Sequence, residues 1–197
     1  MTVKILGVSG SMREGSSSAA ALKIALEHAA AEGAETRLLD LRVADLPMYR
    51  PDESFAGHPA LAAATESLNW AEAIILASPD YHGSMNGAMK NFLDFHWDEV
   101  AGKLVGYIVA SHEKGITVQE QMRTAVRQCY GWSLPYGVAV HGDNDFNPDR
   151  TVKTAAVQTR LRMLGRDMVI YGEMIHRQFQ RDLQEHAAVT FAARYRR

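Results

Sequence analysis

Two short stretches of this 197-residue chain concentrate side chains suited to holding a ligand rather than attacking one. The first runs Ser9-Gly10-Ser11-Met12-Arg13-Glu14-Gly15-Ser16-Ser17-Ser18. Hydroxyls of Ser11, Ser16, Ser17 and Ser18, with the free N–H groups of a helix start, make a cradle for an anion. Arg13 adds a planar, permanent charge that matches phosphate oxygens. Gly10 and Gly15 let the backbone turn and come close to a ligand. Serine also caps helices on its own account, but one cap explains one serine and leaves the others beside Arg13 unexplained. A helix terminus contributes about 0.3–2 kcal/mol and each charge-assisted hydrogen bond about 1.5–3 kcal/mol. Immobilising a ligand costs on the order of 4–15 kcal/mol. A phosphate grip therefore needs a second contact surface.

The second stretch supplies a candidate: Ser78-Pro79-Asp80-Tyr81-His82-Gly83-Ser84-Met85-Asn86-Gly87-Ala88-Met89-Lys90-Asn91. Pro79 stiffens the exit from a strand, and Gly83 and Gly87 permit close backbone approach. Tyr81 and His82 can sit against a planar ring, whose polar edge backbone N–H groups would meet. Taken alone, an ordinary strand-to-helix turn explains this stretch equally well; its place beside the phosphate loop favours the ring.

Other chemistries fail on spacing. Gly7 and Gly10 do not complete G-x-G-x-x-G, and no G-x-x-x-x-G-K-[ST] occurs. Ser11 stands where a G-x-S-x-G elbow would need glycine. His112-Glu113 is followed by Ile116 where H-E-x-x-H requires histidine, and the other histidines are scattered. Asp143-Asn144-Asp145 continues into Phe146-Asn147-Pro148 without the glycine of a calcium loop, so it reads as a polar turn. Cys129 is the single cysteine, which excludes an internal disulfide and a thiolate cluster and leaves a packed thiol. Neither a metal site nor a catalytic nucleophile is expected.

Both stretches need elements to position them. Residues 2–8, 35–40, 73–78, 104–110 and 134–140 are short runs rich in Val, Ile and Leu. Ala73-Ile74-Ile75-Leu76-Ala77 and Leu104-Val105-Gly106-Tyr107-Ile108-Val109 are continuous, the pattern of strands buried on both faces of a parallel sheet. Helix-period segments alternate with them. Leu22, Ala25, Leu26, Ala29 and Ala30 share a face before Gly33, and Met85, Ala88, Met89, Phe92, Leu93 and His96 repeat that spacing. Further helical stretches are expected at about 115–130 and 150–180, and a loop from Pro47 to Pro59. The alternation predicts an α/β three-layer sandwich with right-handed βαβ units. Ligands bind beyond the carboxyl ends of such strands, which is where both loops fall.

Length allows one domain, placed at residues 1–185, followed by a basic C-terminal tail at 186–197. A net charge of −2 gives no electrostatic case for nucleic acid or an anionic membrane as partner. No apolar run is long enough for a membrane span, and Met1 leads straight into a strand pattern, so no cleaved leader and a cytoplasmic location are expected.

Gly10-Ser11-x-Arg13-x-x-Ser16 with Ser78-Pro79-Asp80-Tyr81-His82-Gly83-Ser84-x-x-Gly87-x-x-Lys90-Asn91 resembles the NADPH-dependent FMN reductase family, which includes flavin, quinone, azo and chromate reductases. The resemblance spans about residues 3–115. It implies a flavodoxin-like fold with a five-stranded parallel sheet of order 2-1-3-4-5, and FMN as cofactor. It also implies NADPH or NADH as co-substrate and hydride transfer through the flavin to a small acceptor. Carried over by position, Ser11, Arg13, Ser16, Ser17 and Ser18 would take the phosphate. Pro79, Asp80, Tyr81, His82 and Gly83 would line the isoalloxazine, with Ser111 and His112 contacting the ring from the loop after the fourth strand. Asp80 stands where glutamate is usual, and Met85-Asn86 replaces a common apolar-proline pair. The flavin carries the reaction, so no side-chain nucleophile is required. The alternative is a flavodoxin-like electron carrier without nucleotide oxidation of its own; the chain lacks the strong acidity usual for one. Met85, Met89, Phe92, Phe95 and Trp97 cover more of one helix than a single core stripe needs. Burial in a larger core is one account, and a homodimer, or a homotetramer of dimers, is the favoured one.

Overall fold

The computed structural model describes residues 2–185 and 189–195. In chain order the principal elements are β1 (Lys4–Ser9), α1 (Ser17–Ala31), β2 (Glu35–Asp40), the one-turn α2 (Leu41–Ala44) and α3 (Pro59–Trp70). There follow β3 (Ala73–Tyr81), the two-residue β4 (Ser84–Met85), α4 (Gly87–Phe95), β5 (Leu104–Ala110) and α5 (Ile116–Gln128). The chain continues through β6 (Trp132–Ser133), β7 (Val138–Val140), the short α6 (Gly142–Asp145) and the 30-residue α7 (Ala155–Gln184).

The main sheet is parallel, ordered β2-β1-β3-β5, with β6 and β7 both pairing along the outer edge of β5. Counting β6 and β7 as one interrupted strand recovers the expected order 2-1-3-4-5. The interruption is a correction to the continuous strand expected at 134–140. It falls at Leu134-Pro135-Tyr136-Gly137, where Pro135 has no N–H to give a ladder.

Alternate residues of each central strand feed two separate cores. Ile5, Ile75 and Ile108 pack beneath α1 and α7, whereas Leu6, Ile74, Leu76, Tyr107 and Val109 pack beneath α3, α4 and α5. Burial on both faces explains the unbroken apolar runs. Helix α3, for which no apolar stripe stood out, buries only Ala64 and Leu68 and starts at Pro59, whose missing N–H is harmless in the first turn. No helix among the described residues is long and apolar enough to cross a membrane.

The helix expected to carry a broad apolar face is mostly core. Met85, Met89 and Phe92 are buried, and Phe95 is covered edge-on by Tyr49 and Phe55, with centroids at 5.1 and 5.0 Å. Trp97, just beyond the helix, is 60% exposed. Of the stretch 186–197, residues 191–195 form a 3-10 turn that buries Ala192 and stacks Phe191 on Phe179 at 5.5 Å. Residues 186–188 and 196–197 lie outside the described residues.

The long helix α7 lies directly against α1. At Gly165 the two backbones meet so closely that an added Cβ would stand 2.7 Å from the Ala25 carbonyl oxygen and 2.9 Å from the Ala29 nitrogen. Those atoms belong to a helix backbone and cannot rotate away. Gly165→Ala is expected to destabilise the protein by about 1–3 kcal/mol. For a chain of this size that lowers the thermal midpoint by roughly 2–10 °C, as read by calorimetry; an unchanged midpoint would show that the helices separate freely.

Candidate functional site

Three loops meet at the carboxyl end of the sheet. Serines dominate the first, after β1, and each has a separate job. Ser16 is the N-cap of α1: its φ of −68° and ψ of 148° are extended, and its Oγ accepts the Ala19 N–H at 3.1 Å. Ser18 is fully buried with its hydroxyl 3.3 Å from that of Ser16. Ser11 is buried and its Oγ accepts the Arg13 N–H at 3.2 Å, which closes the turn. The amides of Ser17 and Ser18 belong to the first helical turn and have no acceptor within the helix. Arg13 is exposed at the rim.

The second loop differs from a simple strand-to-helix turn. Strand β3 runs on through Tyr81, and Asp80 and Tyr81 pair antiparallel with Met85 and Ser84 in a two-residue hairpin. His82 and Gly83 at its tip have φ of 58° and 75°, the positive pair that a type I′ turn requires. Asp80 braces the hairpin, its Oδ1 accepting the Gly83 N–H at 2.8 Å. Its Oδ2 accepts the Ser111 hydroxyl, also at 2.8 Å, which ties on the third loop, after β5. Ser111 in turn accepts the Glu113 N–H at 3.0 Å.

A second tie joins the first two loops. Asn86, 4% exposed, caps α4 with its Oδ1 and sends its Nδ2–H to the Gly10 carbonyl at 2.5 Å. Its own N–H donates to the Ser78 hydroxyl at 3.1 Å. Gly10 donates to the Ala77 carbonyl at 2.8 Å, and a Cβ there would fall 2.8 Å from Asn86 Oδ1 and 3.0 Å from Met89 Cβ. Only glycine fits such an approach.

Between the loops lies a cavity of about 230 Å³ lined by ten of the twelve expected residues: Ser11, Arg13, Ser16, Ser17, Ser18, Pro79, Asp80, Tyr81, Ser111 and His112. It adjoins a larger cavity of about 800 Å³ that shares Asp80, Ser111 and His112 and includes Gly83. His82 lines neither; it is exposed at the hairpin tip.

Besides Gly15 of the first loop and Ala110 at the end of β5, the lining includes Gly142, Asp143 and Arg150, which were not expected. These last three come from the segment between β7 and α7. Phe146, 1% exposed, anchors that segment in the core, and the turn from Asn147 to Thr151 closes by backbone bonds of 2.9 Å. Arg150, at φ 68°, is thereby brought to the first loop, its Nη1 3.4 Å from Ser17 Oγ and 3.9 Å from Asp143 Oδ1. The polar Asp143-Asn144-Asp145 turn was the one local signal, and it does not say where the turn folds.

Cations, hydroxyls and first-turn amides at one end, with tyrosine and backbone N–H groups at the other, suit a phosphate joined to a planar ring. Nothing in the cavity is arranged as an activated nucleophile. Cys129 is buried beneath the sheet, and burial pushes its thiol up.

Comparison with known proteins bears on the family and the fold. Residues 3–145 match the family described as NADPH-dependent FMN reductase. The FMN-dependent NADPH-azoreductase of Staphylococcus aureus (strain USA300) is 31% identical over 156 residues, 73% of this chain and 79% of that protein. The NAD(P)H-dependent FMN reductase PA1204 of Pseudomonas aeruginosa is 36% identical over 94 residues; the match spans 47% of this chain and about half (49%) of that relative's length. The solved structure of the flavoenzyme NAD(P)H:(acceptor) oxidoreductase FerB from Paracoccus denitrificans superposes with a TM-score of 0.74 at 17% identity, covering 88% of this chain and 98% of that one. That likeness establishes the flavodoxin-like fold.

Because Asn86 holds the Gly10 carbonyl in a water-free position, Asn86→Ala should strand that acceptor at a cost of about 1–3 kcal/mol. Calorimetry is expected to show a thermal midpoint roughly 2–10 °C lower. A variant as stable as the wild type would mean that the first two loops hold their positions without the tie.

Proposed function

The chain belongs to the NADPH-dependent FMN reductase family, and from that premise we propose that it is an oxidoreductase that holds FMN where its three loops converge. The observation that carries the reading is the single cavity system that gathers the serine–arginine turn, the Asp80–Gly83 hairpin and Ser111-His112. When bound, FMN supplies the redox chemistry, taking a hydride from NADPH or NADH and passing electrons to a small acceptor such as a flavin, quinone, azo compound or metal oxyanion.

The protein's part is binding and orientation. Ser11, Ser17, the first amides of α1, Arg13 and Arg150 surround the phosphate. Two guanidiniums and several N–H donors offset its charge without any lysine-containing phosphate motif. Pro79, Tyr81 and the hairpin backbone form the wall against the ring, and the Gly83 side of the hairpin lets the ring approach the main chain. Asp80 and Ser111 act through each other: both are spent on holding the hairpin to the β5 loop, which makes them positioning residues. His112, packed edge-on against His141 with ring centroids at 5.1 Å, lines both cavities, where it would face the ring or an acceptor.

The decisive measurement is flavin titration followed by mixing with nicotinamide nucleotide. Wild-type protein should bind FMN, and its visible absorbance should fall on mixing with NADPH in a stopped-flow instrument. Arg13→Ala combined with Arg150→Ala should weaken FMN binding about 10- to 100-fold, from the loss of two charge-assisted contacts. No FMN binding by the wild type would overturn the reading. FMN binding without nucleotide oxidation would favour an electron carrier.

We also propose self-association as a homodimer or homotetramer in the cytoplasm. After the core claims Met85, Met89 and Phe92, the support is a smaller set of exposed apolar side chains: Trp97, Met48 and Tyr49. Light scattering at micromolar concentration is expected to give a multiple of the 21.8 kDa chain mass; a monomeric mass would remove this proposal.

A further inference from the structure

We propose that a second groove, walled by α1 and the edge strand β2, receives the adenosine 2′-phosphate end of NADPH, with Lys23 and Arg42 as its clamp. The inference rests on reading the neighbouring cavity as the FMN site, and it names the nucleotide that this site would use.

The groove exists because α1 does not cover the sheet edge. On that face Leu38 of the edge strand β2 is left 41% exposed, whereas its register partner Gly7 of β1 is already covered by Leu22 and Leu26 of α1. The resulting space is about 660 Å³. It opens onto the phosphate turn, since Ser11, Arg13, Gly15, Ser16 and Arg150 line both it and the FMN cavity. A dinucleotide whose nicotinamide lay on the flavin ring would cross that turn to reach the groove. Arg13 and Arg150 stand at the crossing, where two phosphorylated ligands would otherwise repel.

Two independent features point to a ligand inside. Ser9 on the groove floor is 1% exposed, and its Oγ is buried without a hydrogen-bond partner. Native proteins rarely leave such a hydroxyl unpaired, and a ligand oxygen in the groove would pair it. In addition, Arg13, Lys23 and Arg42 line the groove and form no ion pair among the described residues. Carboxylates are present too, but two are already engaged. Asp40 Oδ1 accepts the Arg42 N–H at 3.0 Å, and Asp149 Oδ1 accepts the Thr151 hydroxyl at 2.7 Å. Glu14 and Glu27 are exposed at the rim.

At the end of its second strand the Rossmann dinucleotide-binding fold, which shares the layering of this chain but not its strand order, distinguishes the two nicotinamide nucleotides. An acid there accepts the ribose 2′-hydroxyl of NADH, and an arginine accommodates the 2′-phosphate of NADPH. This chain has Asp40 and Arg42 at that place, with the acid tied to its own helix and the arginine free. Leu38 and the half-buried Ile24 offer an apolar strip for the adenine.

Calorimetric titration of the FMN-loaded protein with adenosine 2′,5′-bisphosphate and with AMP tests this. The bisphosphate should bind the wild type at least about tenfold more tightly than AMP. Lys23→Ala combined with Arg42→Ala should abolish that advantage while leaving the FMN dissociation constant within about twofold, which also confirms folding. In steady state the same variant should raise KM for NADPH about tenfold and KM for NADH less than about twofold. Equal binding of the two adenylates, absence of binding, or a variant that keeps the preference would each overturn the groove assignment, and NADPH turnover would then still stand by itself. A bisphosphate preference lost in the variant, with no NADPH oxidation by the wild type, would uphold the groove and sink the oxidoreductase reading.

Discussion

One buried contact organises this end of the molecule: the side-chain amide of Asn86 donating to the Gly10 carbonyl. Gly10 terminates β1 and starts the serine turn, whereas Asn86 caps α4 and closes the hairpin that follows β3. The bond therefore sets the spacing between the part of the cavity that suits a phosphate and the part that suits a ring. It is well protected. Asn86 is almost fully buried, four hydrogen bonds to Ser78, Gly10 and Met89 converge on it, and the packing of Met89 leaves Gly10 no room for a side chain. A buried amide with all its partners present is rigid, and a partly satisfied one is costly. The third loop is then fixed to the second by the Asp80 carboxylate. Two clasps in series thus set the geometry of three loops that meet nowhere in sequence.

The sheet was legible because its strands are buried on both faces, and the apolar runs had no other economical explanation. Four of the five expected strands begin or end within a few residues of those observed. The fifth was misread as continuous because Leu134 and Val138–Val140 are apolar on either side of Pro135, and hydrophobicity does not register a missing N–H. The breadth of apolar residues on α4 admits two accounts, because periodicity reports that a face is covered but not by what. Here much of the cover is the chain's own core and the loop carrying Tyr49 and Phe55.

For the site, the two contiguous loops were legible and the long-range contribution was not. Serine and arginine crowded before a helix carry their chemistry in local order. Arg150 is 133 residues from Ser17 and reaches it because Phe146 is buried and Asn147–Thr151 is a tight turn. No pattern within a window of residues contains that information. Asp80 shows the converse case. The sequence pointed to a residue that does line the candidate cavity, but its carboxylate serves the neighbouring backbone and Ser111 rather than facing outward as a ligand contact.

The close passage of α7 over α1 at Gly165 ties the distant half of the molecule to the geometry of the candidate cavity. Ala25 lies eight residues from the start of α1 at Ser17, roughly 12 Å along the axis of the helix whose first turn lines the candidate cavity. With β1 fixed in the sheet below, the contact works as a fulcrum. A bulkier residue on α7 would pivot α1, and its tip would swing the serine turn away from the hairpin. The tightness of a helix crossing on one flank thus governs how well two loops at the far end of the sheet stay in register with a single molecule.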